Sequence, residues 1–75
     1  MTIQENRLII DSELTDDALD ELIDNINKSE IEVIQIDTDN ITSLCLQQLF
    51  CIAKYKKMEI NNSFIAKFFE NINYI

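Results

Sequence analysis

Two adjacent hydroxyls, Thr42 and Ser43, close the polar run Asp37-Thr38-Asp39-Asn40-Ile41 and open a strongly apolar stretch over residues 44–53. The run follows an apolar, strand-like segment at residues 31–36, and loops at the carboxyl end of a buried strand are the usual place for sites in α/β folds. A hydroxyl at a helix start sits among free backbone N–H groups. It can therefore cap the helix, carry a phosphate that the helix dipole tolerates, or meet a partner directly. The aspartates superficially suit an aspartate-nucleophile phosphatase or the start of a calcium loop. The calcium reading fails because Ile41 and Gln48 occupy ligand positions and the turn glycine is missing. The phosphatase reading leaves little chain for further magnesium ligands and a lid. Asp37, Thr38, Asp39 and Asn40 are more simply turn formers, exposed to a partner together with Leu44 and Gln47 of the following helix.

Composition removes much of the remaining chemistry. The 75 residues contain no histidine, glycine, proline or tryptophan, so the commonest general base, the glycine-rich phosphate loop and the dinucleotide fingerprint are all missing. No enzyme activity and no cofactor are expected. Cys45 and Cys51, six apart in one helix, lie on largely different faces, too far apart for a disulfide and wrongly spaced for zinc. They read as small core residues of a reduced, intracellular protein. With neither a basic leader before a long apolar run nor eighteen consecutive apolar residues, the expected location is cytoplasmic, without membrane insertion.

The formal net charge of −8 is uneven: residues 1–40 hold twelve of the fourteen carboxylates and two of the six bases, so that part carries −10 and the rest +2. Such a surface disfavours nucleic acid and anionic membranes and favours a protein partner with a basic or mixed surface. Lys54, Lys56 and Lys57 are expected to complement a helix dipole from its last turn. At this length one domain is possible, near the size where a single core barely suffices, and self-association would help it.

The elements that must hold the hydroxyls alternate regularly. Residues 6–11, with Leu8-Ile9-Ile10, form a first strand. Thr15 caps a first helix with Asp16 and Asp17 in its first turn. Its apolar face is Ala18, Leu19, Leu22, Ile23 and Ile26, opposite Asp17, Asp20, Glu21, Asp24 and Lys28. Ile31, Val33, Ile34 and Ile36 make a second strand expected to be covered on both faces. A second helix runs from about residue 42 to 57, apolar around much of its circumference. Residues 58–60 form a third strand, and Asn61 or Asn62 caps a last helix carrying Phe64, Ile65, Phe68, Phe69 and Ile72. The expected class is a small α/β domain over residues 1–75, a mostly parallel sheet of three or four strands in the order β-α-β-α-β-α, with helices packed on it.

Ile10-Asp11-Ser12-Glu13-Leu14-Thr15, Val33-Ile34-Gln35-Ile36-Asp37-Thr38 and Ile41-Thr42-Ser43-Leu44-Cys45-Leu46-Gln47-Gln48-Leu49 together resemble the successive signatures of STAS domains. That family includes anti-sigma factor antagonists and the small subunit of a bacterial phospholipid-transporting ABC system. The resemblance spans nearly the whole chain. Thr42 stands where the family usually has aspartate, Cys45 and Asp11 stand where it has glycine, the turn after Asp37 is about three residues short, and the amino-terminal strand pair is reduced to one strand.

The resemblance implies a non-enzymatic regulator that binds a kinase-type anti-sigma factor and is released by phosphorylation. Ser43 falls on the family's phosphorylatable position, with Thr42 the candidate if the register slips by one. It equally implies an accessory subunit holding the ATPase of a phospholipid-transporting ABC system, or a homodimeric adaptor that has lost the switch.

Overall fold

The computed structural model describes residues 1–72. The chain opens with a two-stranded hairpin, β1 (Thr2–Gln4) and β2 (Arg7–Ile10), paired antiparallel with Gln4 opposite Arg7. Glu5 and Asn6 make the turn. Glu5 has φ 57°, a left-handed backbone that a β-carbon makes costly and that hairpins usually assign to glycine or asparagine. With no glycine in the chain, a glutamate takes that conformation.

A 3-10 turn over Asp16–Ala18 leads into α1 (Leu19–Ile26), then β3 (Val33–Ile36), α2 (Ser43–Ile52), β4 (Lys57–Ile60) and α3 (Ser63–Ile72). The sheet runs β1-β2-β3-β4, with β2–β3 and β3–β4 parallel. Three sequence expectations are thereby corrected. The sheet is mixed, because an antiparallel strand precedes the parallel ones, and the order is β-β-α-β-α-β-α. The amino-terminal strand pair is present and not reduced to one.

The register puts Leu8, Ile34 and Met58 in one row and Ile10, Ile36 and Ile60 in the next, all on the same face. The strands step across the sheet in one direction. Right-handed crossovers then place successive helices on that single face, where α1 and α2 touch. The core lies between these layers, joining Leu8, Ile10, Ile34 and Ile36 of the sheet to Leu22, Ile26, Cys45, Leu49, Ile65 and Phe69 of the helices, with Leu14 and Ile31 of the connections buried in it. Phe50 of α2 meets Phe69 of α3 edge to face, ring centroids 4.7 Å apart.

The other face of the sheet carries Arg7, Ile9, Val33, Gln35 and Glu59, all half-buried. β3 is therefore covered on one side only, against the expectation of two. Its alternation is plain once Val33 and Gln35 are seen to share a face. Arg7 pairs with Glu59 and also donates to Gln35 Oε1 at 2.9 Å, so the open face is bridged by polar side chains across three strands.

Boundaries differ where the expected elements ran long. α2 stops at Ile52, whose carbonyl accepts from the N–H groups of both Tyr55 and Lys56, and β4 begins at Lys57. The lysines are therefore not in the helix's last turn. Lys54 lies beyond it, Lys57 lies in β4, and Lys56 Nζ donates to the Lys28 carbonyl at 2.7 Å, just past the end of α1. Cys45 is buried and its thiol donates to the Thr15 carbonyl at 3.3 Å, as a core residue should. Cys51 is exposed, contrary to the core role expected for both.

Candidate functional site

The two loops that leave the carboxyl ends of β2 and β3 are joined to each other. The Leu14 N–H donates to the Asn40 carbonyl at 2.9 Å and the Thr42 N–H to the Leu14 carbonyl at 3.0 Å, forming an isolated parallel bridge between Leu14 and Ile41. Leu14 is buried, so this bridge is anchored in the core. The sequence places the two loops more than twenty residues apart, and the bridge makes them one platform at the start of α2.

The helix starts explain which hydroxyl is available. Of the two asparagines expected as caps, Asn62 caps α3, its Oδ1 accepting the Ile65 N–H at 3.0 Å. Thr15 precedes the 3-10 turn with no side-chain cap bond. Thr42 occupies the N-cap position of α2 with an extended backbone, and its carbonyl accepts the Leu46 N–H at 2.9 Å. Its hydroxyl does not cap. Instead, Thr42 Oγ1 donates to Asp16 Oδ1 at 2.6 Å, tying the start of α2 to the 3-10 turn before α1. Ser43, the first residue of α2, is exposed.

The remaining candidates divide in the same way. Asp37 Oδ2 accepts from Gln35 Nε2 at 2.6 Å and Oδ1 accepts from Asn61 Nδ2, so this carboxylate ties the end of β3 to the end of β4. Thr38 Oγ1 accepts the Asn40 N–H at 3.1 Å, a local turn in which the side chain takes the place of a backbone acceptor. Asp37, Thr38 and Thr42 thus serve the loop's own structure. Asp39, Asn40, Ser43, Leu44 and Gln47 are solvent-exposed, and Leu44 keeps 48 % of its surface accessible. Sequence reasoning missed Asp16, Leu14 and Asn61 as supports of the loop. Their partners stand 24 to 28 residues away, and no short spacing signals them.

No pocket opens among the described residues, and no three acidic or cysteine side chains come together there to hold a metal. No helix among them is long and apolar enough to cross a membrane. What this end of the molecule offers is an outward surface: an accessible hydroxyl and an apolar side chain side by side. Asp16, bonded to Thr42, and Asp39 of the preceding loop are exposed carboxylates at this end.

No protein-family model matches the chain, and no curated protein or solved structure is significantly similar to it. The site has therefore to be read from its own geometry.

Proposed function

We propose that the chain is a STAS-like protein–protein interaction domain that docks a partner on the start of α2, through Ser43, Leu44 and Gln47, with Asp39 and Asn40 beside them. The observation that carries this reading is the contrast between neighbouring hydroxyls: Thr42 is engaged with Asp16 and Ser43 is free at the surface. A free hydroxyl next to a half-exposed leucine, on a platform pinned to the core, is suited to contact. It also suits a switch. A phosphate on Ser43 would meet the positive end of the α2 dipole, so the fold would tolerate it. The same phosphate would add nearly two negative charges beside Leu44 and the Asp16 carboxylate, and in an interface that change expels a partner by repulsion and desolvation.

The partner in this reading is a kinase-type anti-sigma factor, bound by the unmodified form and released once it has phosphorylated Ser43. Incubation with that kinase and ATP should add one phosphate, seen as a mass shift, and Ser43→Ala should abolish it while Thr42→Val does not. A shift that persists in Ser43→Ala moves the modification elsewhere and ends the switch. The accessory-subunit reading uses the same surface with Ser43 as a contact only. It is distinguished by binding a transport ATPase with no phosphate added.

A further inference from the structure

Among the described residues β4 is an edge strand, bonded to β3 alone. The N–H groups of Lys57 and Asn61 donate inward to the carbonyls of Glu32 and Ile36, so by strand alternation the N–H and C=O of Met58 and Ile60 point outward from the sheet. α3 packs above this strand. α3 exposes Phe64 and Phe68, with 59 % and 40 % of their surface accessible and their rings edge to face at 5.3 Å. An unpaired strand edge, and an exposed aromatic pair on the helix packed over that strand, are features that proteins ordinarily blunt or cover.

We infer that a second copy of the chain covers it, through an antiparallel β4–β4 pairing centred on Met58 that continues the sheet across a two-fold axis, with Phe64 and Phe68 of the two copies packed over the junction. The register is self-complementary. With Met58 opposite its own counterpart, its outward N–H and C=O form the hydrogen-bonded pair, and Lys57 of each copy stands opposite Glu59 of the other. That second pair is of the closely spaced, non-hydrogen-bonded kind, where opposite charges attract most effectively.

The charge distribution favours the same contact. Two chains of −8 repel, and most faces would bring the carboxylates of residues 1–40 together. β4 and α3 belong to the part that carries +2, and pairing there keeps the two acidic α1 helices on the far sides of the assembly. The other sheet edge, β1, has three exposed residues and lies in the acidic part. A standard interface of about 800 Å² per partner would take roughly a sixth of the 4862 Å² surface. As for any association of two chains, the dimer's population rises with concentration. This surface is separate from the Ser43 platform and stands or falls independently of it.

Sedimentation equilibrium over about a hundredfold range of concentration tests the inference. The apparent mass of the wild type should rise from 8.8 kDa towards twice that value. Phe64→Gln combined with Phe68→Gln should hold it at the monomer mass with an unchanged far-ultraviolet spectrum. Lys57→Glu, which sets like charges opposite each other twice, should weaken association about tenfold. A wild type that stays monomeric throughout overturns the inference. So does a double glutamine variant that assembles as well as the wild type, and undiminished assembly of Lys57→Glu overturns the register.

Discussion

Thr42 Oγ1 donates to Asp16 Oδ1 at 2.6 Å, and this one bond joins the turn that begins the first helical segment to the turn that begins α2. It lies beside the backbone bridge between Leu14 and Ile41, so the two loops at the carboxyl end of the sheet are held by both main chain and side chain. The bond also uses up the Thr42 hydroxyl and leaves Ser43 as the free one.

A hydrogen bond from a neutral hydroxyl to an exposed carboxylate stabilises by about 1 kcal/mol. Thr42→Val and Asp16→Ala should each lower stability by about that amount in urea titration. Because both remove the same interaction, the double variant should lose little more than either single one. Fully additive losses would mean that the bond is not shared in solution.

Among the described residues Ser43 makes no comparable internal bond, so its replacement should barely register in stability. Ser43→Ala should shift the unfolding free energy by less than about 0.5 kcal/mol. Ser43→Asp should be neutral or slightly stabilising, since a carboxylate in the first turn complements the helix dipole. These two variants can then be used in binding experiments without a folding artefact. A loss near 2 kcal/mol in either would give Ser43 a structural role.

At the hairpin turn the positive φ of Glu5 is the only one among the described residues. Replacing it with glycine removes the β-carbon clash there, although the unfolded chain gains freedom. The expected net result is a gain of about 0.5 kcal/mol in Glu5→Gly, measured by thermal or urea unfolding. Destabilisation by the same amount would mean that the turn relaxes to negative φ in solution.

Leu49 of α2 is fully buried in the central cluster. Leu49→Ala should cost about 2–5 kcal/mol, a large share of the stability expected for so small a domain. Leu44→Ala, five residues earlier and half exposed, should cost less than about 1 kcal/mol and act on partner binding instead. If the two costs were similar, Leu44 would belong to the core and not to the docking surface.

Much of the architecture was legible from periodicity. The strand around Leu8-Ile9-Ile10, the acidic amphipathic helix with Leu22 and Ile26 inward, the strand at Ile34 and Ile36, and the Asn62 cap all follow from local pattern and capping chemistry. The errors have local causes too. Thr2-Ile3-Gln4 is short and its turn is Glu5-Asn6, without the Asn-Gly or Asp-Gly signal that marks a hairpin. In β3, Val33 is apolar, so its placement on the open face with Gln35 could be seen only from the register. The spacing that groups Phe64 and Phe68 with Ile65 and Phe69 gives the helix but not how wide a stripe its neighbours bury. At the site, the candidate turn was found from sequence. The division between Thr42 and Ser43 was not, because Asp16, which decides it, lies 26 residues away.

The most direct test of the docking surface is an affinity capture from native cell extract with three baits: the wild type, Ser43→Asp, and Phe64→Gln with Phe68→Gln, each read by mass spectrometry. The prediction is a kinase-type regulator recovered with the wild type and with the α3 variant, and lost with Ser43→Asp. Equal recovery with Ser43→Asp, or loss of the same partner with the α3 variant alone, would contradict a docking site at the start of α2.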